Sequence, residues 1–153
     1  MGDQIKHIFA KLRETCDFAE TDFSDVNACN SEGDNGLHCV VRWGDLSAAK
    51  ALIDAGIDVN KAGDLGYTPL HVACMEGNAE MVKLLIEKGA DIFALNEGDA
   101  PFATARLAGH DQICDLLDPL MKQAQSLDPK IWVRARILQL RRKIAYLEAQ
   151  LAR

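Results

Sequence analysis

The sequence predicts an all-α solenoid of stacked helix–turn–helix units, with a helical N-terminal cap and a long C-terminal helix. Three observations carry that expectation. A block of residues in the middle of the chain recurs at a spacing of 33. Each copy holds the start and stop signals of two short helices. Outside the copies, the pattern gives way to one amphipathic segment at either end.

At the front, Ile5, Ile8, Phe9 and Leu12 fall at i, i+3, i+4 and i+7, one face of a helix. Asp25-Val26-Asn27 then anticipates Asp58-Val59-Asn60 one period later. Residues 1–30 therefore read as a degenerate capping repeat with one clear helix and a polar outside.

The middle unit is the clearest. Gly66-Tyr67-Thr68-Pro69-Leu70-His71-Val72-Ala73-Cys74 leads to Gly77-Asn78, then Met81-Val82-Lys83-Leu84-Leu85-Ile86, then Gly89-Ala90-Asp91-Ile92. Thr68 is a good N-cap, and Pro69 suits the first helical turn, where its missing N–H would be unpaired anyway. Gly77 ends that helix, and Met81, Leu84 and Leu85 give the next one its apolar face before Gly89 closes it. One unit back stand Gly33, Asn35, Leu37-His38, Gly44, Leu52-Ile53 and Gly56. A shift of 32 forward meets Gly98, Pro101-Phe102, Ala105, Gly109-His110, Ile113-Cys114 and Leu116-Leu117. Two helices this short cannot bury their apolar faces alone, so the units must stack.

This pattern resembles the ankyrin repeat family, whose unit is Gly-x-Thr-Pro-Leu-His-x-Ala followed by a Gly and a Leu-Leu helix. The resemblance covers roughly residues 25–118, with three repeats over 31–118. The first unit has Asn35-Gly36-Leu37-His38 in place of Thr-Pro-Leu-His, and the third has Ala100-Pro101-Phe102-Ala103, losing Thr and His. Such departures are usual near solenoid ends, where one neighbour is missing.

Beyond the repeats, Asp118-Pro119 and Asp128-Pro129 each bias the chain out of helix, so 119–128 reads as a linker. Residues 129–153 read as a basic amphipathic helix. Val133, Ile137, Leu140, Ile144, Leu147 and Leu151 step alternately by four and three along it, a heptad stripe. Three uses compete: packing back as a cap, docking with a second copy or a partner, and contact with nucleic acid or an acidic membrane surface.

The net charge of −6 conceals a division. Residues 1–128 hold ten Lys and Arg against 22 Asp and Glu, a net −12; residues 129–153 hold seven against one, a net +6. An acidic body repels nucleic acid and attracts basic partners. No apolar run approaches the roughly 20 residues that span a bilayer, and no signal-peptide core opens the chain. Five cysteines, Cys16, Cys29, Cys39, Cys74 and Cys114, without regular spacing, fit a reducing, cytoplasmic setting and small buried side chains.

Chemistry for catalysis is not apparent. His7, His38, His71 and His110 form no zinc-ligand spacing with the cysteines, and there is no His-Glu-x-x-His or phosphate-binding glycine loop. The resemblance implies a structural role for His38 and His71, bonding neighbouring turns. No cofactor, metal or small-molecule substrate is expected.

The resemblance also implies a protein-binding scaffold that uses turn tips and the exposed side of each first helix. In the first unit those positions are Glu32, Asp34, Arg42 and Trp43. In the second they are Asp64, Leu65, Tyr67, Met75 and Glu76, and in the third Asn96, Glu97, Asp99 and Leu107. Aromatic and apolar residues ringed by carboxylates suit a basic protein partner. The expected function is a non-enzymatic interaction module, as an inhibitor of the immunity or antitoxin type or as a regulatory subunit. The alternative is an assembly protein that homodimerises through residues 129–153.

Overall fold

A computed structural model describes residues 2–152. Met1 and Arg153, the ends of the expected cap and C-terminal helix, lie outside the described residues, as does the side chain of Cys16. Among the described residues eight α-helices follow in order. The cap is α1 (Asp3–Arg13); the first unit holds α2 (Gly36–Arg42) and α3 (Leu46–Asp54). The second holds α4 (Pro69–Met75) and α5 (Ala79–Glu87), and the third α6 (Pro101–Leu107) and α7 (Asp111–Leu127). Last comes α8 (Ile131–Leu151). The fold is an all-α solenoid of helix–turn–helix units.

Capping sets where each helix begins. The Asn35 side chain accepts the Leu37 N–H at 3.2 Å at the start of α2. Pro69 and Pro101 occupy the first turns of α4 and α6. Asp45 and Asn78 accept the N–H groups of Ala48 and Met81 at 2.9 and 3.0 Å, so α3 and α5 start directly after the glycines that end their predecessors.

Stacking runs along two rows. The inner row packs α2 against α4 and α4 against α6, while α3, α5 and α7 form the outer row. Leu37, Leu52, Leu70, Met81, Leu85 and Leu117 are fully buried between the rows. In α1 the face Ile5, Ile8, Phe9 and Leu12 closes the front of this core. Among the described residues the cap has only a short 3-10 turn, Cys16–Phe18, where a second α-helix would stand; Phe9 stacks on Phe23 with centroids 4.3 Å apart, and Phe18 adds to the cluster at 5.8 Å.

The 33-residue spacing of Asp-x-Asn has a direct structural cause. The Asn27 side chain donates to the Gly56 carbonyl at 3.2 Å and accepts the Asp58 N–H at 2.6 Å. One unit on, Asn60 donates to the Gly89 carbonyl at 3.0 Å and accepts the Asp91 N–H at 2.7 Å. Each asparagine thus ties the end of one unit to the next. At the third position in this register stands Phe93, which can make neither bond. It meets Trp132 of α8 edge-on, centroids 4.8 Å apart, and α8 docks where the ladder stops.

One expectation at the C-terminal end needs correction. The 119–128 linker is not a linker: α7 runs unbroken through Pro119 to Leu127. Pro119 and Asp115 are exposed, so water can satisfy the Asp115 carbonyl that the proline leaves unbonded. The chain breaks only at Asp128–Lys130, where the Asp128 carboxylate accepts the Lys130 N–H at 3.1 Å. Of the three competing uses of the C-terminal helix, packing back on the repeats is present, through a face other than the heptad stripe. α8 packs on Phe93, Leu95 and Ala100 through Ile131, Trp132 and Ala135, and leaves its heptad stripe exposed.

A candidate protein-binding groove between the first two units

Turn geometry brings residues of two units together. Asp34, at the end of the turn before α2, accepts the Asp64 N–H at 3.0 Å from the following turn. Gly63 makes that approach possible: a Cβ there would lie 1.7 Å from the Asp34 Oδ1. The chain then turns through Leu65, a non-glycine residue at φ +50°, ψ +19°, before Tyr67 re-enters extended backbone. A leucine in the left-handed region is strained, and this one is 59% exposed at the tip.

Beneath the turn, His38 fixes the spacing. Its Nδ1 lies 3.2 Å from the Asn35 N–H and accepts it, while Nε2–H donates to the Tyr67 carbonyl at 3.1 Å. His71 repeats the arrangement with the Thr68 N–H at 3.2 Å and the Asp99 carbonyl at 3.1 Å. Both rings are buried and use both nitrogens, one as acceptor and one as donor, which is the neutral imidazole. Burial lowers the pKa of each, that of His71 to about 4. Asp34, 3.8 Å from the His38 Nε2, pulls the other way without winning.

The result is a groove of about 150 Å³ lined by Asp34, His38, Arg42, Asp64, Leu65, Tyr67, Val72 and Met75. Leu65 and Met75 are exposed there, Tyr67 is half-buried, and Asp64 and Arg42 supply exposed charge. Six of the thirteen sequence-derived positions therefore meet at one place.

The other seven divide. Glu32 and Glu76 are exposed but do not line the groove. Trp43 is half-buried, packs on the core, and carries the Lys11 ammonium of α1 4.3 Å above its ring. Asn96 is buried, its side chain accepting the Asp99 N–H at 3.0 Å, so it builds the third turn. Glu97, Asp99 and Leu107 are exposed around the third unit, Leu107 at 78%. His38 and Val72 are groove residues that sequence reasoning did not assign to the surface. For His38 the one available signal was its place one unit ahead of His71.

Among the described residues no group of three or more His, Cys, Asp or Glu is placed to hold a metal ion, and no buried polar side-chain atom lacks a partner. Burial pushes the Cys39 thiol up to about 11 and that of Cys74 to about 12, so neither is a thiolate at neutral pH. Among the described residues no helix is long and apolar enough to cross a membrane.

Comparison with known proteins agrees with the geometry. A family model described as ankyrin repeats (3 copies) matches residues 6–96 and 37–124, most of the chain. Ankyrin repeats act as protein–protein interaction scaffolds. No curated protein matches the chain.

Proposed function

We propose that this chain, which belongs to the ankyrin-repeat family, is a non-enzymatic module that binds a basic protein partner through its acidic inner face. The groove between the first two units is the centre of that surface. The observation that carries the reading is Leu65. It is a large apolar side chain exposed on a strained turn beside Met75 and Tyr67, with Asp64 next to it. A fold keeps a strained, solvent-facing leucine at some cost in stability, and a partner contact explains why.

Charge supports the basic partner. Asp64 stands at the apolar centre, and Glu32, Glu76, Glu97 and Asp99 are exposed elsewhere on the three units, against Arg42 alone among the thirteen positions. The body that carries them has a net −12, which speeds encounter with a positively charged protein and makes it salt-sensitive. An inhibitor of the immunity or antitoxin type, or a regulatory subunit, would work in this way by covering a basic active surface.

The test is capture from native lysate at low and at raised salt, identified by mass spectrometry. Wild type is compared with Leu65→Asn combined with Asp64→Lys. Both side chains are exposed, so the variant should fold. One basic protein is retained by wild type at low salt, released as salt rises, and lost in the variant. Retention indifferent to the variant, or of an acidic protein, refutes the reading.

A further inference from the structure

The α8 helix has two apolar faces, and the fold uses one of them. Ile131, Trp132 and Ala135 dock on the third unit, and the Gln139 side chain donates to the Asn96 carbonyl further along the same face. The heptad stripe lies roughly 145° around the helix from this contact. Val133, Ile137, Leu140, Ile144 and Leu147 are 44–57% exposed, and Leu151 is 88% exposed. The contact that anchors α8 therefore leaves its seam free.

The seam is specific in kind. With Ile137 and Ile144 at position a, the d positions are Val133, Leu140 and Leu147. A β-branched residue at a with leucine at d is the pairing that favours two helices over three or four. The helix is 21 residues, three heptads, a length at which isolated helices are marginal in water. Here the docked first turns remove part of the nucleation cost.

The flanks decide between occupants. Beside the seam stand Arg134 and Arg141 on one side and Arg136 and Lys143 on the other, with Glu148 the one acid in the helix. If a second copy paired in parallel, Lys143 would meet Glu148, but Arg136 would meet Arg141 and cancel the gain. Two helices with five bases against one acid also repel along their whole length. A helix with Asp and Glu at its flanking positions meets an opposite charge at four of these sites, and flanking charge sets partner choice in paired helices.

We propose that α8 is a docking helix for an acidic amphipathic helix of another protein, which lays an isoleucine- and leucine-rich seam along Ile137, Leu140, Ile144 and Leu147. This surface is separate from the groove and does not depend on the reading given for it.

The experiment uses the full chain and two designed peptides of about three heptads. Both carry Ile at a and Leu at d; one has Glu and the other Lys at every flanking position. Sedimentation velocity should show the chain alone as a monomer. Fluorescence anisotropy should show the Glu peptide binding at least about tenfold more tightly than the Lys peptide, and more weakly as salt rises. Ile144→Asp removes the binding, while Arg141→Glu with Lys143→Glu reverses the preference. All three side chains are exposed, so far-UV circular dichroism should leave the repeat fold unchanged. A stable dimer that Ile144→Asp dissociates overturns the proposal in favour of a second copy. It is equally overturned by Glu-peptide binding that survives Ile144→Asp, by no preference between peptides, or by binding to anionic vesicles with none to the Glu peptide.

Discussion

His71 shows how much a single buried residue controls. Its ring is fully buried, accepts one backbone N–H and donates to one carbonyl from the next unit, and so is folded in the neutral form. With its pKa lowered from 6.5 to about 4, the unfolded chain takes up a proton that the folded chain does not throughout that interval. Stability therefore falls as pH is lowered from about 6.5 towards 4, by on the order of 3 kcal/mol for a shift of this size. Urea unfolding midpoints at pH 7 and pH 5 check it, and His71→Gln should flatten the dependence, leaving the contribution of His38, whose pKa burial also lowers. Leu65 gives the opposite kind of prediction. Leu65→Asn suits the left-handed turn better, so it should leave stability unchanged or raise it by up to about 1 kcal/mol while weakening partner capture. Thermal unfolding beside the capture assay separates the two effects. The roles of His38 and His71 were legible because the repeat puts both at one position. The burial of Asn96 and Asp34 was not, since a polar residue in a turn gives no sign of whether it faces solvent or a neighbouring turn.

Elements were legible where local signals agreed and illegible where packing decided. The start of α4 follows from Thr68-Pro69, and the amphipathic face of α1 from Ile5, Ile8, Phe9 and Leu12. Pro119 misleads because a proline inside an exposed helical stretch removes one hydrogen bond whose carbonyl water can satisfy, and the buried residues Ile113 and Leu117 hold the helix on course. The docking of α8 had a signal in the sequence: Phe93 stands where Asn27 and Asn60 stand in earlier units. An aromatic side chain at a hydrogen-bonding position marks the end of the ladder and the seat of the next element. Trp132→Ala should release α8 from the repeats, a loss of about 1–2 kcal/mol in docking. Hydrogen exchange should then show lost protection at the start of α8 and unchanged protection in α4 and α5. Equal loss throughout would mean that α8 supports the whole stack.

At the scale of the molecule, stability and charge have different sources. Units stacked in a row share their interfaces with neighbours, so the centre of the stack is the costliest place to remove volume. Leu70 and Leu85 are fully buried in the second unit, and replacing either with alanine should cost on the order of 2–5 kcal/mol in denaturant unfolding. A much smaller cost would mean that the units do not unfold together. The division of charge, net −12 before residue 129 and +6 after it, belongs to surfaces rather than to the core. It was legible in full from the sequence, whereas the convergence of six residues on one groove depended on how two turns lie together. The most direct test of the central reading is hydrogen exchange on the captured complex. Binding through the groove predicts new protection at the Gly63–Tyr67 turn and at Met75 and Glu76. Protection confined to α3, α5 or the exposed seam of α8, with the turn unchanged, would contradict it.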